Sequence, residues 1–223
     1  MARIRAIVFD VGGTLIYPID PIGETYARFA SRHRVKLPIV ATTAAFHEAL
    51  KNSAPRPKGT IPSNGDDRTW WKQVVKASLP AQAFAESAAF EAFFEEVYLY
   101  YAKPEAWGIY PEVFEVFESL RDRVMNLTVL SNWDGRLHSV LDGNGLGEFF
   151  SARFISAELG WEKPDPAIYR HVADVLNIPP HSLLSVGDDV RKDVEGPRKA
   201  GWQTVQIERP LRDLWEVVRI VGK

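Results

Sequence analysis

IRAIVFDVGGTL, residues 4–15, is the stretch of the chain that decides its fold. Its β-rich run, residues 4–9, is short and ends in the continuous apolar stretch 6–9, which is typical of a parallel strand covered on both faces. Asp10 follows at the carboxyl end, where ligands bind in open α/β sheets. Gly12 and Gly13 would let backbone N–H groups approach an anion. The alternative is a tight turn in which Asp10 is only a cap.

Similar runs recur along the rest of the chain, with helical patterns between them. The predicted strands are residues 4–9, 127–130, 153–155, 182–186 and 204–207. The predicted helices between them are residues 111–123, 136–141 and 166–176. This alternation predicts an α/β fold with a doubly wound parallel sheet.

One long region, residues 17–104, shows no strand pattern. Its helical candidates are residues 22–34, 42–52, 67–77 and 81–101, with a Pro/Gly-rich loop at 54–67. We therefore expect an α/β core of residues 1–16 and 105–223 and an inserted helical cap of residues 17–104. The aromatic residues of the insertion are expected to form its own core; they are Trp70, Trp71, Phe84, Phe90, Phe93, Phe94, Tyr98, Tyr100 and Tyr101.

Composition excludes several classes of function. The 223 residues carry a formal net charge of -2, so no broad positive field attracts nucleic acid or an anionic membrane. There is no cysteine, which excludes disulfides, thiolate nucleophiles and Cys-based zinc sites. No apolar stretch has the length of a signal-peptide core or a membrane span. We expect a cytoplasmic protein with no nucleic-acid or membrane partner.

Two further motifs follow predicted strands and carry anion-binding groups. In LSNWD, residues 130–134, the hydroxyl of Ser131 and the amide of Asn132 form a neutral anion-binding pair. In KPDPAIY, residues 163–169, Lys163 precedes a helix start and supplies a compact positive charge. The alternatives are a helix N-cap for the first pair and a solvated surface residue for the lysine.

A cluster of aspartates follows the predicted strand at 182–186. Asp188, Asp189 and Asp193 lie within VGDDVRKD, residues 186–193. Grouped carboxylates suit Mg²⁺, which commonly takes one or two of them with substrate phosphate oxygens and water. The alternative is acidic capping of the next helix. All four motifs would converge on one edge of a doubly wound sheet.

In this order, the motifs FDVGGTL, LSNWD, KPDPAIY and VGDDVRKD resemble those of the haloacid dehalogenase superfamily, subfamily I. Its members carry a helical cap after the first motif, where this chain has residues 17–104. The resemblance implies Asp10 as the nucleophile that forms an aspartyl-phosphate, and Lys163 as the residue that neutralises its charge. It implies phosphate binding by Ser131, Asn132 and Lys163. The implied Mg²⁺ ligands are Asp10, the carbonyl of Gly12, Asp188 and Asp193, with Asp193 also able to orient Lys163.

One position departs from the family pattern. Phosphatases of this family have Asp-x-Asp at the first motif, and here the second aspartate is replaced by Gly12. In the family that carboxylate protonates the leaving group, and help of this kind contributes about 10²–10⁴-fold. We therefore expect slow turnover of alkyl phosphates and a smaller penalty for aryl or acyl phosphates.

These observations leave three hypotheses for the function. The first is a Mg²⁺-dependent phosphatase acting on a small phosphorylated metabolite. The second is a 2-haloacid dehalogenase, and the third is a weakened protein that binds a phosphorylated ligand or a partner. Candidates for holding a second anionic group of the ligand are Arg28, Arg32, Arg56, Lys58 and Arg68. The sequence does not predict the oligomeric state.

Overall fold

A computed structural model describes residues 3–56, 58–62, 65–81, 83–121, 123 and 126–222. The chain divides into an α/β unit, residues 1–17, 56–66 and 109–223, and a helical unit, residues 18–55 and 67–108. The predicted cap, residues 17–104, therefore contains one segment, residues 56–66, that groups with the α/β unit instead. Positions 57, 63 and 64 of the predicted loop lie outside the described residues.

The strands of the described chain are, in order, β1 (Ala6–Phe9), β2 (Ile16–Pro18), β3 (Trp107–Ile109), β4 (Asn126–Ser131), β5 (Ala152–Ile155), β6 (Leu183–Gly187) and β7 (Gln203–Gln206). Five of them form one sheet in the order β5-β4-β1-β6-β7, and β2 pairs with β3. Every pairing in the larger sheet is parallel. The predicted doubly wound parallel sheet is confirmed.

The described helices are α1 (Ile22–Arg32), α2 (Ile39–Asn52), α3 (Arg68–Ala77), α4 (Ser87–Tyr100), α5 (Val113–Arg121), α6 (Arg136–Gly143), α7 (Ser156–Leu159), α8 (Pro166–Leu176), α9 (Gly196–Lys199) and α10 (Trp215–Val221). Short 3₁₀ turns cover Pro104–Ala106, Gly147–Phe149 and Pro180–Ser182, and a π-helical turn covers Val190–Glu195.

Both faces of the central strand β1 are covered. Ala6 and Val8 belong to a core cluster with Ile168 of α8. Phe9 points to the other face, where its ring lies 5.2 Å from that of Phe117 in α5. The four residues of β1 are all buried because alternate side chains pack against the helices on opposite faces of the sheet. This explains why the sequence of β1 is a continuous apolar run.

Helix α8 shows how local sequence fixes an element. Asp165 is its N-cap and accepts a hydrogen bond from the backbone N–H of Ala167, while Pro166 occupies the first turn. The helix ends at Asn177, whose left-handed backbone has φ of 52°. The start and stop residues lie directly outside residues 166–176, which were predicted as a helix. The structure confirms these bounds.

Other predicted bounds were wrong in detail. The prediction of no strand in residues 17–104 fails at its start, because β2 covers Ile16–Pro18. Three residues are too few to show an alternating pattern. Helix α2 begins at Ile39, directly after Pro38, rather than at residue 42. Helix α4 begins only at Ser87, six residues later than predicted.

The helical unit has its own hydrophobic core. Tyr26, Phe29, Phe93 and Phe94 are buried in it, and all nine aromatic residues predicted for the core of the insertion are in this cluster or packed against it. Within the described ranges, no helix combines the length and the apolar character that crossing a membrane requires.

Candidate active site

The sheet order brings the predicted site residues to one edge. β1 lies between β4 and β6; from β1 the chain runs to β4 and β5 on one side and then crosses to β6 and β7 on the other. Such a switch point opens a crevice at the carboxyl ends of the strands. Asp10 follows β1, Ser131 ends β4 and Asp188 follows β6. The backbone N–H of Asp10 donates to the carbonyl of Val186 at 2.8 Å, which continues the strand ladder into the site.

Three side chains donate hydrogen bonds to the carboxylate of Asp10. The ammonium of Lys163 lies 2.8 Å from Oδ1, and the hydroxyl of Ser131 lies 3.2 Å from the same oxygen. The hydroxyl of Thr14 reaches Oδ2 at 3.4 Å. Asp10 is thus a fixed carboxylate with one well-occupied oxygen and one weakly held oxygen, rather than a simple turn cap.

Lys163 is not the solvated lysine of the alternative interpretation. It is only 4% exposed, and its ammonium also donates to Oδ1 of Asp193 at 2.7 Å. Burial alone would lower the pKa of Lys163, but the carboxylates of Asp10 and Asp193 outweigh burial and raise the pKa. The lysine therefore stays protonated at neutral pH and links the two carboxylates.

Asn132 has a role in the structure that its sequence motif does not reveal. Its amide oxygen accepts the backbone N–H of Lys163 at 2.7 Å, and its amide nitrogen donates to the carbonyl of Lys163 at 2.8 Å. The side chain thus pairs with the backbone of Lys163 on both sides. The predicted contact between Asn132 and phosphate stays a prediction, for which the second amide hydrogen is available.

The π-helical turn Val190–Glu195 positions Asp193 toward Lys163. Such turns occur mostly as single turns and are frequent at functional sites. Asp193 also accepts the backbone N–H of Asp189 at 3.1 Å. Burial raises the pKa of the Asp193 carboxyl, and the ammonium of Lys163 opposes this rise.

Tyr169 of α8 supports this turn from the buried side. Its hydroxyl donates to the carbonyl of Lys192 at 2.5 Å. A Cβ on Gly196 would lie 2.3 Å from the same hydroxyl, so only glycine fits there. Asp189 caps the turn by accepting hydrogen bonds from the N–H groups of Arg191 and Lys192, and its possible role as a further ligand stays a prediction.

The two glycines after β1 have different roles. Gly13 has φ of +79°, and a Cβ there would lie 2.6 Å from Oδ2 of Asp188, so the missing side chain makes room for that carboxylate. At Gly12 a Cβ would meet only the ring of Trp133, at 3.4 Å. Gly13 is therefore a close approach of the backbone to a carboxylate, whereas Gly12 has space for a side chain.

Thr14 is a site residue that the sequence analysis missed. Its hydroxyl lies 3.1 Å from Oδ1 of Asp188 as well as near Asp10, so it bridges the two carboxylates. Its carbonyl accepts a hydrogen bond from Arg209 at 2.9 Å. The only signal in the sequence was its place directly after the glycine pair.

The carboxylates form a group that fits a metal ion. One oxygen each of Asp10, Asp188 and Asp193 lie within 4.8 Å of one another. Hard oxygens at such spacing suit Mg²⁺. Burial and the Asp10 carboxylate raise the pKa of Asp188, as expected where negative charge lacks enough neutralising charge. The predicted role of the Gly12 carbonyl as a ligand stays a prediction.

The pKa shift of Asp188 predicts how stability depends on pH without metal. Between the ordinary pKa of 3.8 and the raised pKa of Asp188 in the folded state, the folded protein binds more protons than the unfolded chain, so the free energy of unfolding falls as the pH rises through this range. Asp188→Asn should remove this penalty and stabilise the protein at pH 8 in chelator. Neighbouring groups crowd the Asp188 carboxylate, but the residue keeps enough access to solvent to screen the repulsion, so we expect only about 0.2–1 kcal/mol. Thermal melts from pH 4 to 8 measure it.

The control for this prediction is Asp174→Asn, the same chemical change at an exposed position of α8. It should leave the pH dependence unchanged. Added Mg²⁺ should raise the Tm of the wild type but not of Asp188→Asn, because a ligand stabilises only a folded state that binds it. An Asp188→Asn variant less stable than the wild type at pH 8 would contradict the predicted repulsion.

The cations considered for a second anionic group all contact carboxylates in the structure. These pairs are Arg28–Asp20, Arg32–Glu96, Arg56–Glu162, Lys58–Asp165 and Arg68–Glu95. Their charge is therefore already matched within the protein. The structure therefore does not favour any of the five as the residue that binds a substrate anion.

Comparison with known proteins agrees with the family that the motifs indicate. Haloacid dehalogenase-like hydrolase domain-containing protein 3 of Homo sapiens is 29% identical over 209 residues, which are 93% of this chain and 83% of the human protein. Two solved structures resemble the fold. A HAD phosphatase from Thermococcus onnurineus has a TM-score of 0.66 and 21% identity, covering 98% of both chains.

The second structure is L-2-haloacid dehalogenase from Xanthobacter autotrophicus with chloropropionic acid covalently bound. It has a TM-score of 0.63 and 20% identity, covering 92% of this chain and 78% of that one. A family model for haloacid dehalogenase-like hydrolases matches residues 4–201. With this match across most of the chain, and with the parallel sheet described above, the chain belongs to the haloacid dehalogenase-like hydrolase family.

Proposed function

We propose that this hydrolase is a Mg²⁺-dependent phosphatase that cleaves phosphate monoesters through an aspartyl-phosphate on Asp10. One observation carries the proposal. The carboxylate of Asp10 is held by the Lys163 ammonium at 2.8 Å, and carboxylate oxygens of Asp188 and Asp193 lie within 4.8 Å of it and of each other. A nucleophile, a cation and a group of metal-binding carboxylates thus meet at one strand edge.

The chain's own residues account for the first step. An oxygen of Asp10 attacks phosphorus, the new Asp10–phosphorus bond forms, and the bond from phosphorus to the leaving oxygen breaks. Lys163, which stays protonated, stabilises negative charge on the carboxylate and on the phosphoryl oxygens. Ser131 supplies a hydroxyl 3.2 Å from Asp10, close enough to hold the transferring group. Water then attacks phosphorus, which releases phosphate and restores Asp10.

Mg²⁺ fits the carboxylates of this site. Asp10 and Asp188 are the ligands that the geometry favours. Both oxygens of Asp193 already accept hydrogen bonds, from the Lys163 ammonium and from the backbone N–H of Asp189, whereas Oδ2 of Asp10 is only weakly held. When bound, the metal would neutralise phosphate charge and stabilise the developing transition state. The single hydroxyl hydrogen of Thr14 orients the nearer carboxylate, that of Asp188 at 3.1 Å, with Oδ2 of Asp10 at 3.4 Å as its other acceptor.

The leaving group determines how fast this site works. Gly12 has no side chain to protonate a departing alkoxide, and the Trp133 ring lies 3.4 Å from where its Cβ would be. A proton must then come from water. Esters whose leaving group is stable as an anion, such as aryl and acyl phosphates, are therefore the preferred class of substrate.

A dehalogenase is the second candidate, since the same fold occurs in the Xanthobacter enzyme and Gly12 removes a group that dehalogenation does not require. The charges of the site oppose it. Asp188 and Asp193 add negative charge beside Asp10, which repels an anionic haloacid. The third candidate, a protein that binds a phosphorylated ligand without turnover, is supported by Gly12 alone.

A panel of substrates separates the three candidates. Phosphate release is measured from aryl, acyl and alkyl phosphates with Mg²⁺ and with chelator, and halide release from 2-haloacids is measured beside it. We expect Mg²⁺-dependent phosphate release, fastest from aryl and acyl phosphates, and no halide. Halide release without metal would establish a dehalogenase. Saturable binding of phosphate esters without release would establish a binding protein.

A further inference from the structure

The described residues of the segment 56–66, namely 56, 58–62, 65 and 66, lie against the segment that carries Lys163, and we call them the strap. The strap is joined in sequence to α2 and α3, yet it groups with the α/β unit. Arg56 contacts Glu162 at 2.6 Å, and Lys58 contacts Asp165 at 2.7 Å. These two carboxylates lie on either side of Lys163 in sequence. The strap therefore contacts the residues on both sides of the lysine.

Backbone contacts place the strap close to the same segment. The N–H of Gly59 donates to the carbonyl of Gly160 at 2.8 Å. A Cβ on Gly160 would lie 3.2 Å from the carbonyl oxygen of Thr60, which is a tight approach. At the other end, the carbonyl of Gly65 accepts the N–H of Gly135 at 3.0 Å, three residues beyond Asn132.

The two ion pairs differ in burial. The side chain of Arg56 is 14% exposed and that of Glu162 is 26% exposed, whereas Lys58 is 81% exposed. Exposed pairs contribute little because water and salt screen them. Breaking a largely buried pair leaves a charge without compensation and is costly. Arg56 is therefore the residue that matters most for holding the strap.

The backbone of Lys163 is fixed from the other side by the amide of Asn132, through hydrogen bonds of 2.7 and 2.8 Å. Its ammonium can reach both Asp10 and Asp193 only while this backbone stays in place. Lys163 is thus held between Asn132 of the sheet edge and Glu162, which is itself held by Arg56.

We propose that Arg56 is a positioning residue that sets the place of Lys163 through Glu162, so that the strap controls the step at Asp10. The inference rests on the proposed phosphatase function. A displacement of about 1 Å at a reacting group can cost about 10²-fold in rate. Loss of Arg56 should therefore lower kcat with little change in KM.

The test compares Arg56→Glu, Glu162→Arg and the double variant, with Lys58→Met as the exposed control. Each single variant should lower kcat on an aryl phosphate about 10- to 100-fold. The double variant should recover most of this loss, since the pair is restored with its charges exchanged. Lys58→Met should stay within about twofold of the wild type, as expected for an exposed pair.

Hydrogen exchange of the peptide covering residues 160–165 gives a readout that does not depend on turnover. Exchange should accelerate in both single variants and slow again in the double variant. The inference would be overturned if the single variants changed neither the hydrogen-exchange rate of this peptide nor kcat. It would also be overturned if the double variant recovered neither the exchange rate nor kcat. If hydrogen exchange responds as expected but neither the wild type nor any variant releases phosphate, the proposed phosphatase function fails. The role of Arg56 in holding the Lys163 segment would then still be supported.

Discussion

Replacing Asp10 with asparagine should abolish phosphate release, with a loss of about 10⁴–10⁶-fold, the range observed when one member of a catalytic unit is removed. Asparagine has the same shape, and its amide oxygen can still accept from Lys163 and Ser131, which lie 2.8 and 3.2 Å from Oδ1. Its uncharged amide cannot form an acyl-phosphate. The loss should therefore appear in kcat.

Rapid quench of the wild type with an aryl phosphate should trap phosphate on the protein in a form that hydroxylamine releases. Asp10→Asn should trap none. Asp174→Asn, an exposed change of the same kind, is the matched control and should keep full activity. If Asp10→Asn retains more than about one hundredth of the wild-type rate, another residue is the nucleophile.

Replacing Gly12 with aspartate should increase the activity on alkyl phosphates by about 10²–10⁴-fold, the contribution of a positioned general acid. The structure has room for this change, because a Cβ at Gly12 meets only the Trp133 ring, at 3.4 Å. Aryl phosphates should gain less, since their leaving groups need no proton. The plot of log kcat/KM against leaving-group pKa should therefore become flatter.

Gly12→Asn is the control for this gain, because asparagine is of similar size but has no carboxyl proton. Gly12→Asn should hydrolyse alkyl phosphates as slowly as the wild type does. Gly13→Asp, in contrast, should damage the site, because φ at Gly13 is +79° and its Cβ would meet Asp188. Equal gains from aspartate and asparagine at position 12 would show that proton donation is not the cause.

The sheet could be predicted from the sequence because its strands are short β-rich runs, most of them apolar, with helical patterns between them. The five predicted strands match the observed bounds to within two residues. β2 and β3 could not be predicted, since three residues carry no period. The helical insertion was recognisable by its helical patterns, but nothing local showed that residues 56–66 would group with the α/β unit.

The candidate site was predictable where strand ends bring motifs together. Asp10, Ser131, Lys163, Asp188 and Asp193 were all expected at one edge, and the structure joins them by contacts or short distances. Contacts that depend on distant packing were not predictable. Thr14, the amide of Asn132 on the Lys163 backbone, and the pair of Arg56 with Glu162 link residues whose separation in sequence carries no pattern.

The burial of Lys163 also decides how the protein can be handled chemically. Reagents that acylate amines need an accessible and uncharged nitrogen, and this one is 4% exposed and protonated. Coupling would instead occur at exposed lysines such as Lys36 and Lys76. The protein could therefore be immobilised on an amine-reactive resin, or labelled with a dye, while the amine beside Asp10 stays unmodified.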